Sequence, residues 1–153
     1  MLSRRHLRIK VLQSLYAHFQ TQDGQINQTE KGLLSSIESI YDLYIYLLSS
    51  ILEVRDFARN RQEDARQKFL PTAEELNPNT RFVDNRFLEQ IGNNRDLQRN
   101  IARLKISWAD HQETFRKIFQ QFKASELYES YMNAPSASYH EDKELVLQMF
   151  GEF

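Results

Sequence analysis

Only four glycines and three prolines punctuate this chain of 153 residues. A strand-and-turn architecture of that length needs many more, because tight turns rely on the positive φ of glycine and the fixed φ of proline. Between the few breaks, apolar residues recur at spacings of three and four, the period of an α-helix. The expectation is an all-α helical bundle with one long central helix, read as a single domain over residues 1–153.

The first helix is expected from Ser3, a suitable N-cap, to about Thr21, with Val11, Leu12, Leu15, Tyr16 and Phe19 as its apolar stripe and Asp23-Gly24 as the turn that ends it. A second helix follows from Thr29 to about Arg61. Leu34, Ile37, Tyr41, Tyr44, Leu48 and Ile51 form one seam on it, and Leu33, Ile40, Leu47 and Val54 form another. Such a helix is about 50 Å long, more than a compact chain of this size spans. Its polar end, Arg55 to Lys68, is expected to protrude or fray. Leu70-Pro71 breaks it. Thr72 with Glu75, and Ser138 with Glu141, read as capping boxes, and Asn77-Pro78-Asn79 reads as a loop. Short helices are expected at Asn85–Ile91, Asp96–Lys105 and Glu126–Met132. Ser107 is the expected cap of a helix to about Phe122, whose seam is Trp108, His111, Phe115, Ile118 and Phe122 with Phe119 alongside. The last helix carries Leu145, Val146, Met149, Phe150 and Phe153, a stripe that calls for a packing partner.

Charge and composition exclude several classes. The chain has no cysteine, so a disulfide scaffold, a thiolate-bound zinc and a thiol nucleophile are ruled out. No apolar run approaches a membrane span, and no continuous apolar stretch follows the N-terminal basic residues as in a signal peptide. A cytoplasmic protein is expected. His6, His18, His111 and His140 stand at no metal-ligand spacing, and no phosphate-binding glycine loop or nucleophile elbow is present. No enzyme, cofactor or metal is therefore expected.

The net charge is −1, but it is unevenly spread. Four basic residues and no acid precede Asp23, whereas six acids face a single lysine from Ser125 onward. Within the basic run Arg4-Arg5-His6-Leu7-Arg8-Ile9-Lys10, Arg4 and Arg8 are one helical turn apart and share a face. Guanidinium groups there can fork onto phosphates and stack on bases, as arginine-rich helices do on RNA. The apolar stripe that follows is expected to anchor this turn while its tip stays exposed. Arg55, Arg59, Arg61, Arg66 and Lys68 are interleaved with acids and read as a solvated face. Tyr41, Tyr44 and Tyr46 fit a base-stacking platform or, at helical spacing on a core helix, plain packing.

The run from Arg4 to Tyr16, with Gln13, Leu15 and Tyr16 in that order after the arginines, resembles the opening of the NusB family of bacterial transcription antitermination factors. The helix from Glu141 to Phe150 is similar to that family's second helix. Residues 23–138 then stand where long, Bacteroidetes-type members carry a lineage-specific insertion, and the chain is expected to be the N-terminal part of such a member. The Lys-Phe-Val-Asn-Gly-Val-Leu-like segment of the family's second helical half is absent from it. The resemblance implies an all-α RNA-binding factor that binds a single-stranded boxA element of nascent RNA together with ribosomal protein S10 (NusE). That complex joins the RNA polymerase elongation complex on ribosomal RNA operons. It places the RNA contact at Arg4, Arg5, His6 and Arg8, with Lys10 an added basic residue beside them. The alternative is a non-catalytic helical protein-interaction module without nucleic-acid binding, and exposed apolar faces leave a homodimer open.

Overall fold

The computed structural model describes residues 3–21, 25–135 and 138–152. These residues are all-α, with eight α-helices, one short 3-10 turn and no strand among them. The order is α1 (Arg4–Gln20), α2 (Ile26–Arg66), α3 (Ala73–Leu76), α4 (Arg86–Gly92), α5 (Arg95–Leu104), the 3-10 turn (Ala109–His111), α6 (Gln112–Lys123), α7 (Glu126–Asn133) and α8 (Tyr139–Glu152). The expected Asp23-Gly24 turn and Phe153 lie outside the described residues. The chain divides into two compact units, Met1–Ile45 and Tyr46–Phe153.

Local chemistry sets most boundaries where the sequence places them. Ser3 caps α1, its Oγ accepting from the His6 N–H. Both halves of the Thr72/Glu75 capping box form. At the head of α8, Glu141 N–H donates to Ser138 Oγ and Ser138 N–H donates back to Glu141 Oε2. Ser107 departs from its expected role. Its Oγ meets only the Ala109 N–H, at 3.5 Å, and a 3-10 turn intervenes before α6 starts without a side-chain cap. The reason is Trp108, which points inward: its indole N–H donates to Ser49 Oγ and its ring lies edge-on to Phe115.

The long helix also differs from expectation. It runs unbroken for 41 residues, about 60 Å at 1.5 Å per residue. Arg55 and Ala58, at the start of the segment expected to protrude, are drawn into the second unit, with Arg55 paired to Asp56 at 2.9 Å. From Arg59 to Arg66 the helix is mostly exposed, as expected. The heptad seam is core only in part: Ile51 and Val54 are buried, while Leu34, Tyr41, Tyr44 and Leu47 are exposed.

The core of the second unit gathers Ile51, Val54 and Ala58 of α2, Phe82 and Val83 of the following turn, Leu88 of α4, the α6 phenylalanines, and Leu145, Val146 and Met149 of α8. The expected α6 seam holds at Phe115, Phe119 and Phe122, all buried, but His111 stays exposed beside the Trp108 ring. The last helix finds its partner in α4 and α7 of this unit.

A buried polar cluster fixes how those helices meet. Asn85 caps α4, its Oδ1 accepting from the Phe87 and Leu88 N–H groups. Its amide donates to Tyr131 Oη at 3.2 Å and to the Asp142 carbonyl at 3.0 Å, so every donor and acceptor site of the amide is used. The Tyr131 hydroxyl has one proton, and the Asp142 carboxylate at 2.6 Å takes it in preference to the Arg81 carbonyl at 3.3 Å. The second Asp142 oxygen accepts from Arg86 N–H. Arg81 lies over the Tyr131 ring and pairs with Glu141 at 3.0 Å. Replacing Tyr131 with phenylalanine leaves Asp142 and Asn85 each short of a partner, and is expected to lower the urea unfolding free energy by about 1–3 kcal/mol.

Burial, then the adjacent Asp142 carboxylate, pushes the Tyr131 phenol well above its ordinary value, and burial raises Tyr128. The unfolded chain sheds these protons near pH 10, before the folded chain does. Stability is therefore full below about pH 10 and falls as the pH rises past it, which urea titrations between pH 8 and 11 measure.

Candidate nucleic-acid interface

The first unit is a pair of helices, α1 and the N-terminal part of α2. α1 carries no acid from Arg4 to Gln20, so its positive N-terminal end holds three arginines and nothing to offset them. That arrangement opposes the helix macrodipole, which favours acids in the first turn. The arginines therefore do not stabilise the helix, and an anion placed there would relieve them.

At about 100° per residue, Arg4, Arg8 and Arg5 fall within one sector of α1. All three are exposed, and none makes an ion pair among the described residues. The structure does not bring His6 and Lys10 to them. His6 is turned to the other side, its Nδ1 2.8 Å from Ser3 Oγ. Lys10 falls on the half-buried stripe with Leu7, Ser14 and His18.

That stripe corrects the expected anchoring of α1. The side applied to α2 is the polar one. His18 Nδ1 lies 2.9 Å from Thr29 Oγ1, and Ser14, Ala17 and Thr21 surround a shallow cavity with Gly32 and Leu33. The apolar stripe faces outward instead, with Leu12 68% and Phe19 81% exposed, and none of the described residues of α1 is buried. The outer sector of α1 thus runs from arginines at its start to aliphatic and aromatic side chains at its end.

The His18–Thr29 contact joins the end of α1 to the start of α2, and half-buried residues continue from it along both helices, to Leu7 on one and Ile40 on the other, so the two run antiparallel. Moving back along α1 from His18 to Arg4 corresponds to moving forward along α2 from Thr29 to about position 43. Tyr41 and Tyr44 therefore stand level with the basic turn. They are 48% and 55% exposed, with ring centroids 6.5 Å apart. On the same helix Glu38 is exposed and Asp42 is half-buried. Spacing alone left these tyrosines between a stacking platform and plain packing, because a heptad seam reads the same whether or not a neighbour covers it.

The second basic cluster is largely neutralised: Asp56 pairs with Arg55 and Arg59, and Glu75 with Lys68. Among the described residues no group of three or more potential metal ligands occurs, and no helix is long and apolar enough to cross a membrane. Comparison with protein-family models, with curated proteins and with solved structures finds no match to this chain.

Proposed function

We propose that the chain is an RNA-binding transcription antitermination factor of the NusB type. In this reading it binds a boxA-like single-stranded segment of nascent RNA, with ribosomal protein S10 and the RNA polymerase elongation complex as its protein partners, and it has no catalytic role. The observation that carries the reading is the cluster of Arg4, Arg5 and Arg8, exposed and in no ion pair among the described residues, at the acid-free positive end of α1. The order of residues from Arg4 to Tyr16, similar to the opening of that family, supports it. Three cations meeting three phosphates of a single strand give a log–log salt slope of about −2. Raising salt from 50 to 200 mM then weakens binding about twenty-fold. Fluorescence anisotropy with labelled boxA RNA and a scrambled control measures both the slope and the sequence preference. A slope near zero sinks the reading.

The outward apolar residues of α1 favour a second reading, a helical protein-interaction module. A chain that passes through heparin unretained and sediments as a dimer supports that reading over RNA binding.

A further inference from the structure

The arginines account for phosphate but not for bases. We propose that Tyr41 and Tyr44 are the base-stacking part of the same site, taking bases of the strand whose phosphates Arg4, Arg5 and Arg8 hold. This rests on the RNA-binding reading and extends it to residues on a second helix.

Three observations carry it. First, both rings are about half exposed, which a core tyrosine at seam spacing would not be. Second, the helix register sets them level with the basic turn, while the outward aliphatic side chains of α1 lie toward the other end of the pair. Third, the rings are tilted by 37° at 6.5 Å and do not stack on one another. Standing one helical turn apart, they form one aromatic patch on which a base can stack. Stacking is indifferent to base identity, because every base offers a π-face. The tyrosines therefore add affinity for unpaired bases and leave sequence choice to other contacts.

The test uses the 153-residue chain and two labelled probes, a boxA-type single-stranded RNA and an RNA of equal length with abasic residues. Tyr41→Leu with Tyr44→Leu keeps helix propensity and apolar surface, and helical content by circular dichroism checks the fold. The double variant is expected to bind the boxA RNA at least about ten-fold more weakly, with the salt slope unchanged. It should bind the abasic RNA as the unaltered chain does. Equal loss on both probes would overturn base stacking. Unchanged boxA affinity would also overturn it while leaving the arginine site standing, and so would a change in sedimentation with RNA affinity intact, which would mark a protein contact. If the unaltered chain binds neither probe, the RNA-binding reading fails and this inference with it.

Discussion

Changing Arg4 and Arg8 together to glutamate is expected to weaken boxA RNA binding by at least about 100-fold while making α1 more stable. The binding loss follows from removing two charge-assisted contacts, each about 1.5–3 kcal/mol, and from setting two carboxylates against the phosphates they leave behind. The salt slope should collapse toward zero, because a single arginine remains in the sector. The gain in helix stability has the opposite sign for a separate reason. The new acid at position 4 occupies the first turn, where the macrodipole favours negative charge by about 0.3–1 kcal/mol, and no acid is there now. Neither arginine is in an ion pair among the described residues, so no partner charge is stranded. Anisotropy reads the first effect, and helix content against temperature reads the second. A variant that binds RNA normally removes this turn from the site. One that loses helix content shows that the arginines hold structure.

Much of the second unit is legible in the sequence because its signals are local or fully periodic. Capping pairs such as Thr72 with Glu75 sit three residues apart, and the α6 phenylalanines repeat with the helix and find a partner on every turn. The first unit is less legible for a specific reason. Periodicity shows that Val11, Leu12, Leu15, Tyr16 and Phe19 share a face, but not which way the face points. That direction is set by the fit of Ser14, Ala17 and His18 against Thr29, Gly32 and Leu33, a contact between small and polar groups that leaves no apolar signature. The arginine turn itself is legible, since one helical turn joins Arg4 to Arg8 whatever lies beneath. The level of Tyr41 and Tyr44 beside it is not, because it depends on the register between two helices.

The contrast between the two units gives the other large effect. Replacing Phe122 with alanine is expected to destabilise the second unit by about 3–5 kcal/mol, whereas Phe19→Ala should change stability by less than about 0.5 kcal/mol. The two side chains are the same, but α6 is strongly amphipathic whereas the α1 apolar stripe shares its sector with arginines. Phe122 is fully enclosed, its ring 5.1 Å from that of Phe82 and 4.9 Å from that of Tyr128. Truncation there removes apolar contact and leaves a void that α6 and α7, joined through the Ser125 cap, cannot close without breaking that cap's hydrogen bonds. Phe19 already meets water, so its truncation removes little buried surface. Trp108 is the sole tryptophan and packs against Phe115 and Tyr46, so its fluorescence reports the second unit alone. In urea the Phe122 variant should unfold about 2 M earlier by that probe. A domain is typically stable by 5–15 kcal/mol, so this loss takes a large part of the total. Helical content by circular dichroism follows α1 as well, and an equal midpoint shift for Phe19→Ala by that measure would mean that the outer face of α1 is covered in the folded chain.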